Sequence, residues 1–113
     1  MHQEWATAAF VDKNIKIIDI RTAPEWRETG IVKGSYTLTF FDEQGNYNTE
    51  LFLKELSKIV DKDEPFALIC RTGSRTGMLA DFLANKLGYN VTNLKGGIVK
   101  MIREGYKPVR YLK

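Results

Sequence analysis

Pro65-Phe66-Ala67-Leu68-Ile69-Cys70-Arg71-Thr72-Gly73-Ser74-Arg75 joins an unbroken apolar run to a polar turn that contains glycine. Four consecutive apolar residues without polar alternation describe a short strand covered on both faces, the pattern of a buried parallel sheet. Beyond the turn, Met78, Leu79, Phe82, Leu83 and Leu87 fall on one stripe of an amphipathic helix, and Gly88 supplies the left-handed residue that ends it. A strand, a loop and a helix in that order form the repeating unit of an α/β fold.

The same unit recurs on either side. Ile15-Lys16-Ile17-Ile18-Asp19-Ile20 is a second β-branched run. Thr22 and Glu25 after it have capping-box spacing, Pro24 lies in the first turn where it is tolerated, and Gly30 ends a short helix. Tyr36, Leu38 and Phe40 alternate with Thr37 and Thr39 as a strand of period two, and the Asp42–Asn46 stretch reads as a surface turn. Between about Asn48 and Val60, Phe52, Leu53, Leu56, Ile59 and Val60 share one helical face. Downstream, Val91 to Leu94 reads as another strand. Gly96-Gly97 turns into a last helix with Ile98, Met101 and Ile102, which Gly105 ends. The expected architecture is one α/β domain over residues 1–113: an open, mainly parallel central sheet of four to five strands flanked by helices on both faces. Nothing periodic marks the first residues, so His2 is expected at a fraying terminus, and Trp5 and Trp26 are expected as core or helix-docking residues.

Composition narrows the functional classes. With 43% apolar and 27% charged residues, the 113-residue chain is neither a disordered tail, a coiled-coil rod nor a collagen-like repeat. A single cysteine cannot form an internal disulfide, and no apolar stretch approaches the length of a membrane span or a secretory signal core. A cytosolic protein is the default expectation, or a periplasmic one if a signal peptide has been removed ahead of this sequence. The net charge of +3 divides unevenly: residues 1–60 carry 7 basic and 9 acidic side chains, and residues 61–113 carry 10 and 5. The second half therefore attracts anions, yet its basic residues form no run, which argues against nucleic acid and for a small anionic ligand.

Cys70 lies where such a ligand would bind, because open parallel sheets hold ligands beyond the carboxyl ends of their strands. Backbone N–H groups of a wrapped loop converge on one point, and the following helix adds partial positive charge there. A thiol at that point, beside Arg71 and Arg75, is expected to ionise readily, and the thiolate is the nucleophilic form of cysteine. Gly73 gives the loop its conformational freedom, while Thr72 and Ser74 add hydroxyl donors. The bland alternative is an inert buried cysteine at a strand end. His2 is the only histidine, which leaves no base for a cysteine protease and no set of metal ligands.

The chain resembles the rhodanese, or sulfurtransferase, homology domain over nearly its whole length. Ile18-Asp19-Ile20-Arg21 with Glu25-Trp26 looks like the family's Asp-x-Arg segment and the acidic and aromatic residues that follow it. Cys70, Gly73 and Arg75 match its C-x-x-G-x-R loop. Leu87-Gly88-Tyr89 with Val91, Leu94 and Gly96-Gly97-Ile98 is similar to its terminal strand, turn and helix, and Gly105-Tyr106 with Pro108 to its usual ending. The chain departs from the family at Gly30-Ile31-Val32-Lys33-Gly34, where Gly-His-Ile-Pro-Gly is common, and at Met101, where tryptophan is usual.

The resemblance implies that Cys70 carries a sulfane sulfur as a persulfide, taken from a small anionic donor such as thiosulfate and passed to a thiol or cyanide. Arg71, Thr72, Gly73, Ser74 and Arg75 would bind the donor, with no cofactor. Arg75 is also expected to hold the loop shut through carbonyl contacts, and Asp19 with Arg21 to be a structural pair. A sulfur carrier served by a protein donor or acceptor is a second reading. A cysteine-dependent phosphatase is a third, disfavoured because such enzymes use C-x-x-x-x-x-R, one residue longer, to ring a tetrahedral phosphate.

Overall fold

The computed structural model describes residues Met1 to Leu112. Five strands, β1 (His2–Trp5), β2 (Lys16–Asp19), β3 (Tyr36–Thr37), β4 (Phe66–Ile69) and β5 (Val91–Lys95), form one sheet in the order β1-β5-β4-β2-β3. Every neighbouring pair is parallel. The helices are α1 (Ala8–Val11), α2 (Ala23–Thr29), α3 (Thr49–Leu56), α4 (Ser74–Leu87) and α5 (Gly97–Arg103).

The apolar runs are explained by their two-sided burial. On one face Ile18, Ile20, Phe66, Leu68, Cys70 and Val91 pack with Phe52 and Leu56 of α3 and Leu79, Ala80 and Leu83 of α4. On the other, Ile17, Ala67, Ile69 and Leu94 pack with Phe10 of α1 and Ile98 and Met101 of α5. Alternate residues of β2, β4 and β5 thus feed opposite clusters, and no position of β4 is left for a polar side chain. Truncating a fully buried member such as Leu83 to alanine costs about 2–5 kcal/mol.

The helix signals correspond to observed caps. Thr22 and Glu25 form the capping box of α2, and Asn48 caps α3 through Oδ1, which accepts from the Leu51 amide at 3.1 Å. Gly30 and Gly88 take the positive φ angles that end α2 and α4. In the 42–46 turn, Asp42 Oδ1 accepts from the Gln44 and Asn46 amides. Asp19 and Arg21 are a buried pair, with Nη2 2.8 Å from Oδ2 and further bonds from the guanidinium to Thr29 Oγ1 and the Gly30 carbonyl.

Four expectations need correction. The N-terminus does not fray: His2–Trp5 is an edge strand registered against Thr92–Lys95, and its backbone pairing overrides an unpatterned sequence. Trp5 is consequently 57% exposed, with Lys95 Nζ 4.2 Å from its ring centre, whereas Trp26 is buried as expected. The strand around Tyr36 is shorter than its alternation indicates, although the Leu38 and Phe40 amides still reach the Asp19 and Ile20 carbonyls. Finally, α4 buries Thr76, Leu79, Ala80 and Leu83, which leaves Met78 64% exposed and Phe82 outside the core.

Candidate active site

In sequence order the chain passes from β2 out to β3 and returns to the other side of β2 as β4, so the switch in direction lies between β2 and β4. Crevices at the carboxyl ends of such strands are where open α/β sheets bind ligands. Cys70 directly follows β4, the central strand, and the loop from Arg71 to Gly73 leads into α4.

The loop folds back onto the sulfur. Gly73 adopts φ +99°, a left-handed conformation, and its amide donates to Cys70 Sγ at 3.1 Å. The positive end of the fourteen-residue α4 is therefore directed at the thiol, which is 1% exposed beneath the loop. The first turn of α5 supports the loop from behind. Ile98 and Val99 amides donate to the Cys70 and Arg71 carbonyls at 3.0 and 3.1 Å. Gly97, at φ +62°, must lack a side chain because a Cβ would overlap the Arg71 and Cys70 carbonyls.

Arg75 closes the loop differently from expectation. Its hydrogen bonds go to a carboxylate and not to carbonyls: Nη1 and Nη2 lie 3.0 and 2.8 Å from the two Glu25 oxygens, a bidentate fork reaching from α4 to α2. Glu25 is thereby shared between the cap of its own helix and the loop. Burial alone would push its carboxyl up, but the bonds from Arg75 and Thr22 outweigh this and hold it below the ordinary carboxylate range. The Arg75 guanidinium is correspondingly held above its ordinary value, first by the Glu25 bond and also by attraction to Cys70. Arg71 is exposed and only 4.0 Å from the equally exposed Glu28, a surface pair too weak to fix it. Thr72 and Ser74 are also exposed, with their hydroxyls 3.5 Å apart on the rim.

Two residues that the motif does not flag lie under the sulfur. Thr76 Oγ1 is 3.5 Å from Cys70 Sγ and bonds Asn93 Oδ1 of β5. The available signal for Thr76 was helical spacing, since it precedes Leu79, Ala80 and Leu83 on the buried stripe of α4. Asn93 follows Val91 by two and so shares its face of the strand. The one histidine, His2, begins β1 opposite Thr92, which itself faces Ala67. Cys70 lies three residues further along, roughly 10 Å toward the other end of the sheet, so no Cys-His pair forms.

Comparison with known proteins gives the same picture. The family model described as the rhodanese-like domain matches residues 2–112. An uncharacterized protein of Rickettsia prowazekii is 33% identical over 91 residues, which span 77% of this chain and 72% of that one. Among solved structures, a rhodanese-related protein from Thermoplasma volcanium superposes with a TM-score of 0.65 at 28% identity, covering 90% of this chain and 93% of that chain. A Rhodopseudomonas palustris protein of unknown function, described as a possible tyrosine phosphatase, superposes with a TM-score of 0.64 at 22% identity, covering 95% and 84%. With the family's loop in place at the end of the central strand and the model match running through nearly every residue, this chain belongs to the rhodanese-like domain family.

Proposed function

We propose that the protein is a sulfurtransferase that moves a sulfane sulfur from a small anionic donor such as thiosulfate to a thiol or cyanide through a persulfide on Cys70. The observation that carries this reading is the Gly73 amide bonded to Sγ inside a loop of only four residues between Cys70 and Arg75. A ring of that size suits one anionic sulfur attached to cysteine and is small for a tetrahedral phosphate.

In the first half-reaction the Cys70 thiolate attacks the outer sulfur of thiosulfate. A new S–S bond forms, the donor's S–S bond breaks, and sulfite leaves with the electron pair. In the second, an acceptor thiolate or cyanide attacks the outer sulfur of the persulfide, and Cys70 departs as thiolate. No general base is needed if the acceptor arrives ionised, in keeping with a site that has no histidine. Arg71, the least constrained cation of the loop, meets the donor, and the Gly73 amide with the α4 terminus stabilises the anionic sulfur.

The test is intact-protein mass spectrometry after incubation with thiosulfate, polysulfide, mercaptopyruvate or cysteine persulfide, followed by thiocyanate formation on adding cyanide. Wild type gains the mass of one sulfur atom and Cys70→Ser gains none. Failure of wild type with every donor overturns the proposal. Cys70-dependent hydrolysis of an aryl phosphate in that case supports the phosphatase reading.

A further inference from the structure

Between α4 and the sheet the buried residues described are apolar except for two, Thr76 at 0% and Asn93 at 4% exposure. A buried threonine and asparagine require partners, and the ones they have lead to the sulfur. Thr76 Oγ1 carries a single proton and stands within reach of three acceptors: Cys70 Sγ at 3.5 Å, the Gly73 carbonyl at 3.2 Å and Asn93 Oδ1 at 2.5 Å. Only one of them can receive that proton at a time.

The Asn93 amide decides which. In one orientation its oxygen takes the Thr76 proton, while Nδ2 faces Gln3 Oε1 of β1 at 3.4 Å. A half-turn of the amide exchanges oxygen and nitrogen without changing its shape, and Gln3 can turn with it. Nδ2 then donates to Thr76 Oγ1, and the hydroxyl proton is left to Sγ or to the Gly73 carbonyl, which already accepts from the Gly77 amide, so that an anionic sulfur is the stronger acceptor of the two. That arrangement matters when the sulfur is anionic, because a donor aimed at the charged form favours it.

We propose that Asn93 is a positioning residue: its amide, backed by Gln3, turns the Thr76 hydroxyl toward Cys70 and so stabilises the anionic sulfur. The proposal rests on Cys70 as the nucleophile, and Asn93 acts only through Thr76. The charged groups on the elements that meet the loop are Arg71 and Arg75 within it, paired with Glu28 and Glu25 of α2, and Asp19 with Arg21 at the end of β2, while the Lys95 ammonium of β5 lies over Trp5. All are left in place by the variants below.

The experiment follows the pH midpoint of Cys70 alkylation by iodoacetamide, which is read whether or not sulfur transfer occurs. Thr76→Val raises the midpoint by about one pH unit, the size expected for a lost hydrogen bond to a charged group. Thr76→Ser, which keeps the hydroxyl, restores it. Asn93→Asp presents only acceptors, captures the Thr76 proton and raises the midpoint similarly, but adds little in a Thr76→Val background. An unshifted midpoint in Thr76→Val overturns the proposal, and so does an Asn93→Asp effect that persists in that background, which would be through-space charge. If Asn93→Asp fails to fold, Gln3→Met at the exposed edge strand gives a smaller upward shift that vanishes with Thr76→Val. No such shift is the overturning result.

Discussion

Glu25 is shared between a helix cap and the Cys70 loop, so its removal separates two contributions. Glu25→Ala deletes the acceptor for the Thr22 amide and hydroxyl together with both bonds to Arg75. The cap is worth about 1 kcal/mol. The fork to Arg75, with side chains 22% and 28% exposed, is partly screened and is worth about another 1 kcal/mol. An unfolding entropy near 2.1 cal/mol/K per residue gives about 0.24 kcal/mol/K for a chain of this length, so the combined loss of about 2 kcal/mol lowers Tm by roughly 8 °C. Glu25→Gln keeps an acceptor for Thr22 and loses the charge, which halves the effect to about 4 °C. Because the Glu25 carboxyl is held below its ordinary value in the fold, its contribution is present at neutral pH and disappears as pH falls through that depressed value, below about pH 4.3. Thermal unfolding followed by circular dichroism between neutral and acid pH reads both quantities. Both variants should lose less stability than wild type over the acid range. Equal losses for Glu25→Gln and Glu25→Ala at neutral pH, or unchanged acid dependence in either, would refute the division between cap and ion pair. In the proposed reaction, Glu25→Gln also leaves the Arg75 charge unneutralised, so the KM for thiosulfate should fall.

Two other substitutions test the supports of the site. Gly97→Ala combines a left-handed backbone with a Cβ driven into the Arg71 and Cys70 carbonyls, so it should cost at least about 2 kcal/mol and abolish persulfide loading, measured by urea unfolding and mass spectrometry. Wild-type loading in that variant would show that the start of α5 does not shape the loop. Asp19→Asn leaves Arg21 buried and unpaired and should cost about 3–5 kcal/mol, whereas replacing the pair together, Asp19→Leu with Arg21→Met, should cost less. A double variant less stable than the single one would contradict that account.

The amino-acid sequence by itself determined the α/β alternation, the two-sided burial of β4, the cap of α2, the glycines that end α2 and α4, and the position of Cys70 at the end of a strand in a basic loop. Each is a local property, set by side-chain period, by the φ angles glycine allows or by hydrogen bonds three residues apart. What only the tertiary structure decided depends on groups far apart in the chain. His2–Trp5 is a strand because Thr92–Lys95 offers its backbone a partner, not because of any pattern in its own side chains. Met78 and Phe82 are exposed because β4 and β5 lie against a slightly rotated face of α4, which buries Thr76 and Ala80 in their stead. Arg75 meets Glu25 fifty residues away, and Thr76 meets Asn93 seventeen residues away. The loop motif points to Cys70, but the groups that pair with Arg75 and Thr76 beside it come from α2 and β5, and packing alone brings those elements together.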